Sequence, residues 1–140
     1  MKAVLNLEKT IAKLHSKVDM AVELAVKDRL EKIAVYTIDI STPTVDTGAY
    51  ITSFSYGVGA GRPRGKSSEN RPKRQSKVAM RKEGLNNLNS DIAKITDFST
   101  KDTIVLRNGS PHAQKVETGK SKNWRRAGYK VFAQIRNIYG

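Results

Sequence analysis

Apolar side chains recur at helical spacing over residues 6–39. Leu7, Ile11, Leu14, Val18, Val22, Ala25, Ile33 and Tyr36 are separated by charged residues, and no Gly or Pro intervenes before Pro43. This predicts one long amphipathic helix, a rod of roughly 50 Å at 1.5 Å per residue. Glu23 and Lys27 form an i,i+4 pair of the favourable orientation on it. Such a helix is expected to pack across a sheet or against its copy in an oligomer. Ser41 to Gly48 is a breaker cluster: Pro43 disfavours helix at Thr42, Asp46 and Thr47 can accept from backbone N–H groups, and Gly48 can take positive φ.

The pattern then changes period. Over residues 50–59, Tyr50, Thr52, Phe54 and Tyr56 alternate with Ile51, Ser53 and Ser55, which predicts a strand loosened by Gly57, Gly59 and Gly61. Residues 60–76 carry almost no apolar side chain and predict a long exposed loop. A second helix is expected at 77–95, with Val78, Arg81, Leu85, Leu88, Ile92 and Ile95 on one face; Gly84 and the Asn-rich 86–89 weaken it. Thr103–Arg107 predicts a short strand closed by Asn108-Gly109, and Pro111–Glu117 a single helical turn ended by Gly119. Residues 120–128 form a second basic loop around Trp124. Val131, Ala133 and Ile135 alternate with Phe132, Gln134 and Arg136, predicting a final strand over Tyr129–Ile138. The fold class expected is α+β: a long N-terminal helix packed on a small, mostly antiparallel sheet, with a second shorter helix and extended basic loops. Residues 1–140 are read as one domain.

Charge divides this scaffold unevenly. The 140 residues hold 26 Lys and Arg against 13 Asp and Glu, a net +13. Residues 62–82 account for +8 of it and 118–140 for +6, while the rest is close to neutral. The hydrophobic fraction of 38% is modest, so neighbouring subunits are expected to complete some apolar surface. No apolar run approaches the roughly 18 residues of a membrane span, and the N-terminus becomes charged too soon for a signal peptide. There is no Cys, which removes disulfides, thiolate metal sites and Cys nucleophiles.

Two strings resemble chemistry without its context. Ala60-Gly61-Arg62-Pro63-Arg64-Gly65-Lys66-Ser67 fits a loose Walker A pattern, but Pro72 and another basic run follow it, no apolar strand ending in Asp offers a Mg²⁺ ligand, and no βαβ repeat is visible. Asp46-Thr47-Gly48-Ala49 matches the string of viral aspartic proteases, but it succeeds a charged helix instead of a buried strand, so a capped turn is expected. His15 and His112 lie too far apart for a local metal motif, and His112 near Glu117 lacks a nucleophile. No catalytic residue, metal site or cofactor is therefore expected. Trp124 is either a stacking or anchoring side chain or a residue packed under its own loop. The basic segments suit docking to an acidic protein surface, contact with nucleic acid through phosphate neutralisation, or solubility. Segment 62–82 has no aromatic residue, which argues against base stacking there.

Three features in order carry a resemblance. The long helix runs into Thr42-Pro43-Thr44-Val45-Asp46-Thr47-Gly48-Ala49-Tyr50-Ile51-Thr52-Ser53-Phe54. Val105-Leu106-Arg107-Asn108-Gly109-Ser110-Pro111-His112-Ala113-Gln114-Lys115-Val116-Glu117-Thr118-Gly119 comes much later, and an expected strand closes the chain. This resembles the tail-completion and head–tail joining (neck) proteins of tailed bacteriophages. Their pattern is a Pro-Val-Asp-Thr-Gly turn, then an aliphatic residue and Ser, then Asn, Pro-Tyr-Ala and Val-Glu-x-Gly. Thr44 interrupts Pro-Val here, His112 stands for Tyr, and segment 62–95 is larger than many members carry.

The resemblance implies a structural virion protein made in the host bacterial cytoplasm. It implies assembly into a ring, six copies favoured and twelve the alternative, at the junction of portal or connector and tail, around the DNA channel. Asp46, Thr47 and Gly48 would build one corner, and Pro111, Val116, Glu117 and Gly119 the second. Arg62, Arg64, Lys66, Arg71, Lys73, Arg74, Lys77, Lys120, Lys122, Trp124, Arg125 and Arg126 would meet portal-side or tail proteins, or DNA non-specifically. The alternative is a stand-alone basic nucleic-acid-binding protein.

Overall fold

A computed structural model describes residues 2–59, 64–65, 71–95, 103–119 and 127–140, with residues 2–16 and 18 described by backbone alone. The chain is α+β. Helix α1 covers Lys2–Ser41, strand β1 Phe54–Val58, helix α2 Lys77–Lys94, strand β2 Ile104–Asn108, helix α3 Ala113–Thr118 and helix α4 Val131–Tyr139. It divides into two compact units, Met1–Leu30 and Glu31–Gly140. No helix among the described residues is long and apolar enough to cross a membrane.

The first unit is the N-terminal part of α1, and the Glu23–Lys27 pair forms there at 3.1 Å. The second unit holds the sheet and its core. β1 and β2 pair antiparallel, with Phe54 opposite Asn108 and Val58 opposite Ile104. Phe54 and Tyr56 of β1 are buried, as are Met80, Leu88 and Ile92 of α2. Ala34 and Ile38 of α1, Ile51, Val116 of α3, and Val131 and Ile135 of α4 complete the apolar interior. Phe54 lies at its centre, edge-on to Tyr50 at 5.1 Å and tilted against Phe132 at 5.9 Å.

Two strand expectations are corrected. The alternating segment at the C-terminus is helix α4, because Val131 and Ile135 satisfy both a period of two and an i,i+4 spacing. The Glu117 carboxylate, bonded to the amides at the start of α4, decides between them. The strand expected from Tyr50 begins only at Phe54. Ile51–Ser53 is a single 3-10 turn whose side chains bond backwards. Thr52 Oγ1 donates to Gly48 O at 2.5 Å and Ser53 Oγ to Ala49 O. Local side-chain bonds thus compete successfully with the extended form.

Helix α2 matches its expected span, with Ser76 accepting from Ala79 N at 3.2 Å as its N-cap. Its buried face keeps Leu88, Ile92 and Ile95 of the one expected but not its N-terminal part. Val78 and Arg81 are exposed, and the face runs through Met80, Gly84, Leu88, Asp91 and Ile92. Gly84, which weakens the helix on propensity, lies tight against its neighbours. A Cβ there would lie 2.6 Å from Ile51 O and 2.9 Å from Ile38 Cδ1.

Candidate functional site

The Val45–Ser53 corner is built by its own side chains. Gly48 has φ +78°, and a Cβ on it would strike the Met80 side chain. Thr47 Oγ1 accepts from Ala49 N at 3.2 Å. Asp46 reaches farther than a local cap: its Oδ1 accepts from Arg74 N at 3.0 Å, and its carbonyl accepts from Gln75 N at 2.7 Å. Thr47 and Gly48 make the turn as expected, but Asp46, expected to cap nearby amides, instead fastens the end of the first basic segment.

The second corner lies directly beside the first. Asn108 Nδ2 donates to Tyr50 O at 2.8 Å, and Gly109 N donates to Ser53 O at 3.2 Å and Arg64 O at 3.1 Å. Asn108 Oδ1 also accepts from Ser110 N at 2.9 Å, and Ser110 Oγ accepts from His112 N at 3.2 Å. Pro111 is exposed in the turn that leads into α3, and Val116 is buried. Gly119 ends α3 at φ +68°, its N–H donating to Lys115 O at 2.8 Å.

Glu117 ties α3 to α4. Its Oε2 accepts from Phe132 N at 2.9 Å and its Oε1 from Ala133 N at 3.1 Å. The carboxylate therefore satisfies two orphan amides at the positive end of α4. Tyr129 N to Val116 O at 2.7 Å and Lys130 N to Glu117 O at 3.2 Å close the same junction. Burial, reinforced by the Glu117 carboxylate, pushes the Tyr50 phenol well above its usual range. Burial alone does the same to Tyr56. The Tyr50 hydroxyl is buried with no hydrogen-bond partner among the described residues.

The basic side chains divide into two groups. Arg64 is turned inward: its guanidinium meets Asp91 at 2.8 and 3.3 Å and Phe54 O at 2.8 Å. Arg71 bonds Thr52 Oγ1 at 3.0 Å and pairs with Glu83 at 3.1 Å. Lys73, Arg74 and Lys77 are exposed. Arg62, Lys66, Lys120, Lys122, Trp124, Arg125 and Arg126 lie outside the described residues, as does the side chain of His15.

Sequence reasoning missed Asp91, which is buried and also accepts from Tyr56 N at 3.0 Å. The signal was present: Asp91 is the one acidic residue within the apolar set Leu88, Ile92 and Ile95. A carboxylate on a buried face requires donors, and a basic loop is the natural source. Among the described residues no group of His, Asp and Glu could hold a metal ion. The two corners are joined to each other and to the described parts of the basic segments, at Arg64, Arg74 and Gln75 and at Tyr129 and Lys130. No protein-family model, curated protein or solved structure matches this chain.

Proposed function

We propose that this chain is a structural subunit of the head–tail junction of a tailed bacteriophage. It forms a ring that connects portal-side proteins to the tail around the DNA channel. Its work is assembly and sealing, not catalysis. The observation that carries the reading is the meeting of the two motif strings. Residues 45–53 and 108–119 are far apart in sequence yet share hydrogen bonds through Asn108 and Gly109. The residues that carry the resemblance thus make one compact corner, to which Arg64 and Arg74 of the first basic segment are bonded. Exposed Lys73, Arg74 and Lys77 are available to a neighbour, whereas Arg64 and Arg71 hold the corner itself.

The test is imaging and light scattering of the purified protein, alone and mixed with the portal and tail proteins of its own genome. Closed rings, or a stoichiometric complex with either partner, support the proposal; a strict monomer in every mixture overturns it. Tight duplex binding with a steep salt slope, and no complex with portal or tail, would favour the stand-alone nucleic-acid-binding alternative.

A further inference from the structure

Helix α1 carries two apolar stripes. The C-terminal stripe is Leu30, Ala34, Thr37, Ile38 and Ser41, all buried. The N-terminal stripe is Val4, Leu7, Ile11, Leu14, Val18, Ala21 and Ala25. Its spacing alternates three and four without interruption, the register of a coiled-coil seam, and it ends where Asp28 would come next. Counted at 3.6 residues per turn, the two stripes differ in phase by roughly 160°. Ala21 and Ala25 are exposed, as is the adjacent Val22 at 41%. Among the described side chains from Lys17 to Leu30, only Leu30 is buried.

A helix of this length is not held by propensity alone; an apolar face normally has to be packed. The seam's residue types indicate what covers it. With Val4, Ile11, Val18 and Ala25 at a and Leu7, Leu14 and Ala21 at d, it has mainly β-branched residues at a and Leu at two d positions, the combination that favours two parallel strands. The flanking pairs between copies would be Ala3–Glu8, Thr10–His15, Lys17–Val22 and Leu24–Arg29. None sets like charge against like charge, so a second copy meets no electrostatic objection.

We infer that residues 4–25 of α1 pair in parallel and in register with the same residues of a second copy of this chain. The pair stands apart from the ring proposed above, since a two-fold pair does not itself close a ring.

The absence of Cys makes the test clean. Leu7→Cys and Leu14→Cys place single thiols at d; Lys9→Cys and Ser16→Cys place them at f, pointing away from a partner. Under mild oxidation of the full-length protein alone, the d variants are expected to form disulfide dimers at least tenfold faster than the f variants. Sedimentation of the wild-type chain is expected to show a dimer, and Leu14→Asp to shift it to monomer while the Glu31–Gly140 unit keeps its unfolding midpoint. Equal rates at d and f, a wild-type monomer at tens of micromolar, or a trimer would overturn the inference. A dimer lacking same-position disulfides would overturn its parallel register. None of these results bears on ring formation with portal or tail proteins.

Discussion

At the scale of single residues, Glu117 and Tyr50 show how the second corner is held. Glu117 occupies the position of a cap for α4 although it precedes that helix by more than a dozen residues. Removing it as Glu117→Ala strands two amides at the helix start and is expected to cost about 1–2 kcal/mol. The urea midpoint measures this. Tyr50→Phe is expected to do the opposite, raising stability by up to about 1 kcal/mol, because its hydroxyl is buried unpaired among the described residues. Both buried tyrosines resist ionisation in the fold, above the ordinary value of 10.0. Below that pH folded and unfolded chains are equally protonated, so these residues add no pH dependence. Above it the unfolded chain loses the protons first, and stability falls as pH rises. Urea titrations from pH 8 to 11 should show a decline setting in near pH 10, reduced in the Tyr50→Phe/Tyr56→Phe chain.

At the scale of elements, legibility tracked the length of the pattern. Helix α1 was readable because apolar residues recur at helical spacing with no Gly or Pro before Pro43, and α2 because Val78, Leu85, Leu88, Ile92 and Ile95 do the same over 77–95. The final element was not, since Val131 and Ile135 fit either period and the deciding group, Glu117, belongs to a different element. Thr52 and Ser53 read as strand residues, but their hydroxyls reach the carbonyls of Gly48 and Ala49. The turn chemistry of Thr47 and Gly48 was legible; the reach of Asp46 to Arg74 was not, because it depends on where the basic segment returns.

Gly84 reverses its sequence meaning for the same reason. Gly84→Ala gains roughly 1 kcal/mol of helix propensity and yet sets a Cβ 2.6 Å from Ile51 O. Overpacking should win, giving a net loss of about 1–2 kcal/mol by thermal unfolding. Asp91→Ala leaves Tyr56 N–H and the Arg64 guanidinium without their acceptor. It is expected to cost about 3 kcal/mol, and far more than exchanging any exposed Lys.

At the scale of the whole molecule, the +13 charge is not one surface property. Part of it is structural, since Arg64 and Arg71 are bound to Asp91 and Glu83. Lys73, Arg74 and Lys77, by contrast, are exposed. The triple exchange Lys73→Gln, Arg74→Gln and Lys77→Gln is expected to leave the unfolding midpoint within about 0.5 kcal/mol per site. It should weaken binding to a portal-side or tail partner severalfold at low salt, with the difference shrinking as salt is raised. Arg71→Ala, by contrast, should lower stability as well as binding.

The junction at Glu117 also bears on how the chain can vary in length. Val116 and Glu117 on one side are bonded to Tyr129 and Lys130 on the other. The connection from Thr118 to Gly128 therefore starts and ends at nearly the same place, whatever its length. Doubling such a loop costs only about 0.6 kcal/mol of closure entropy. An epitope or fluorophore tag inserted between residues 120 and 126 is therefore expected to leave both corners unchanged.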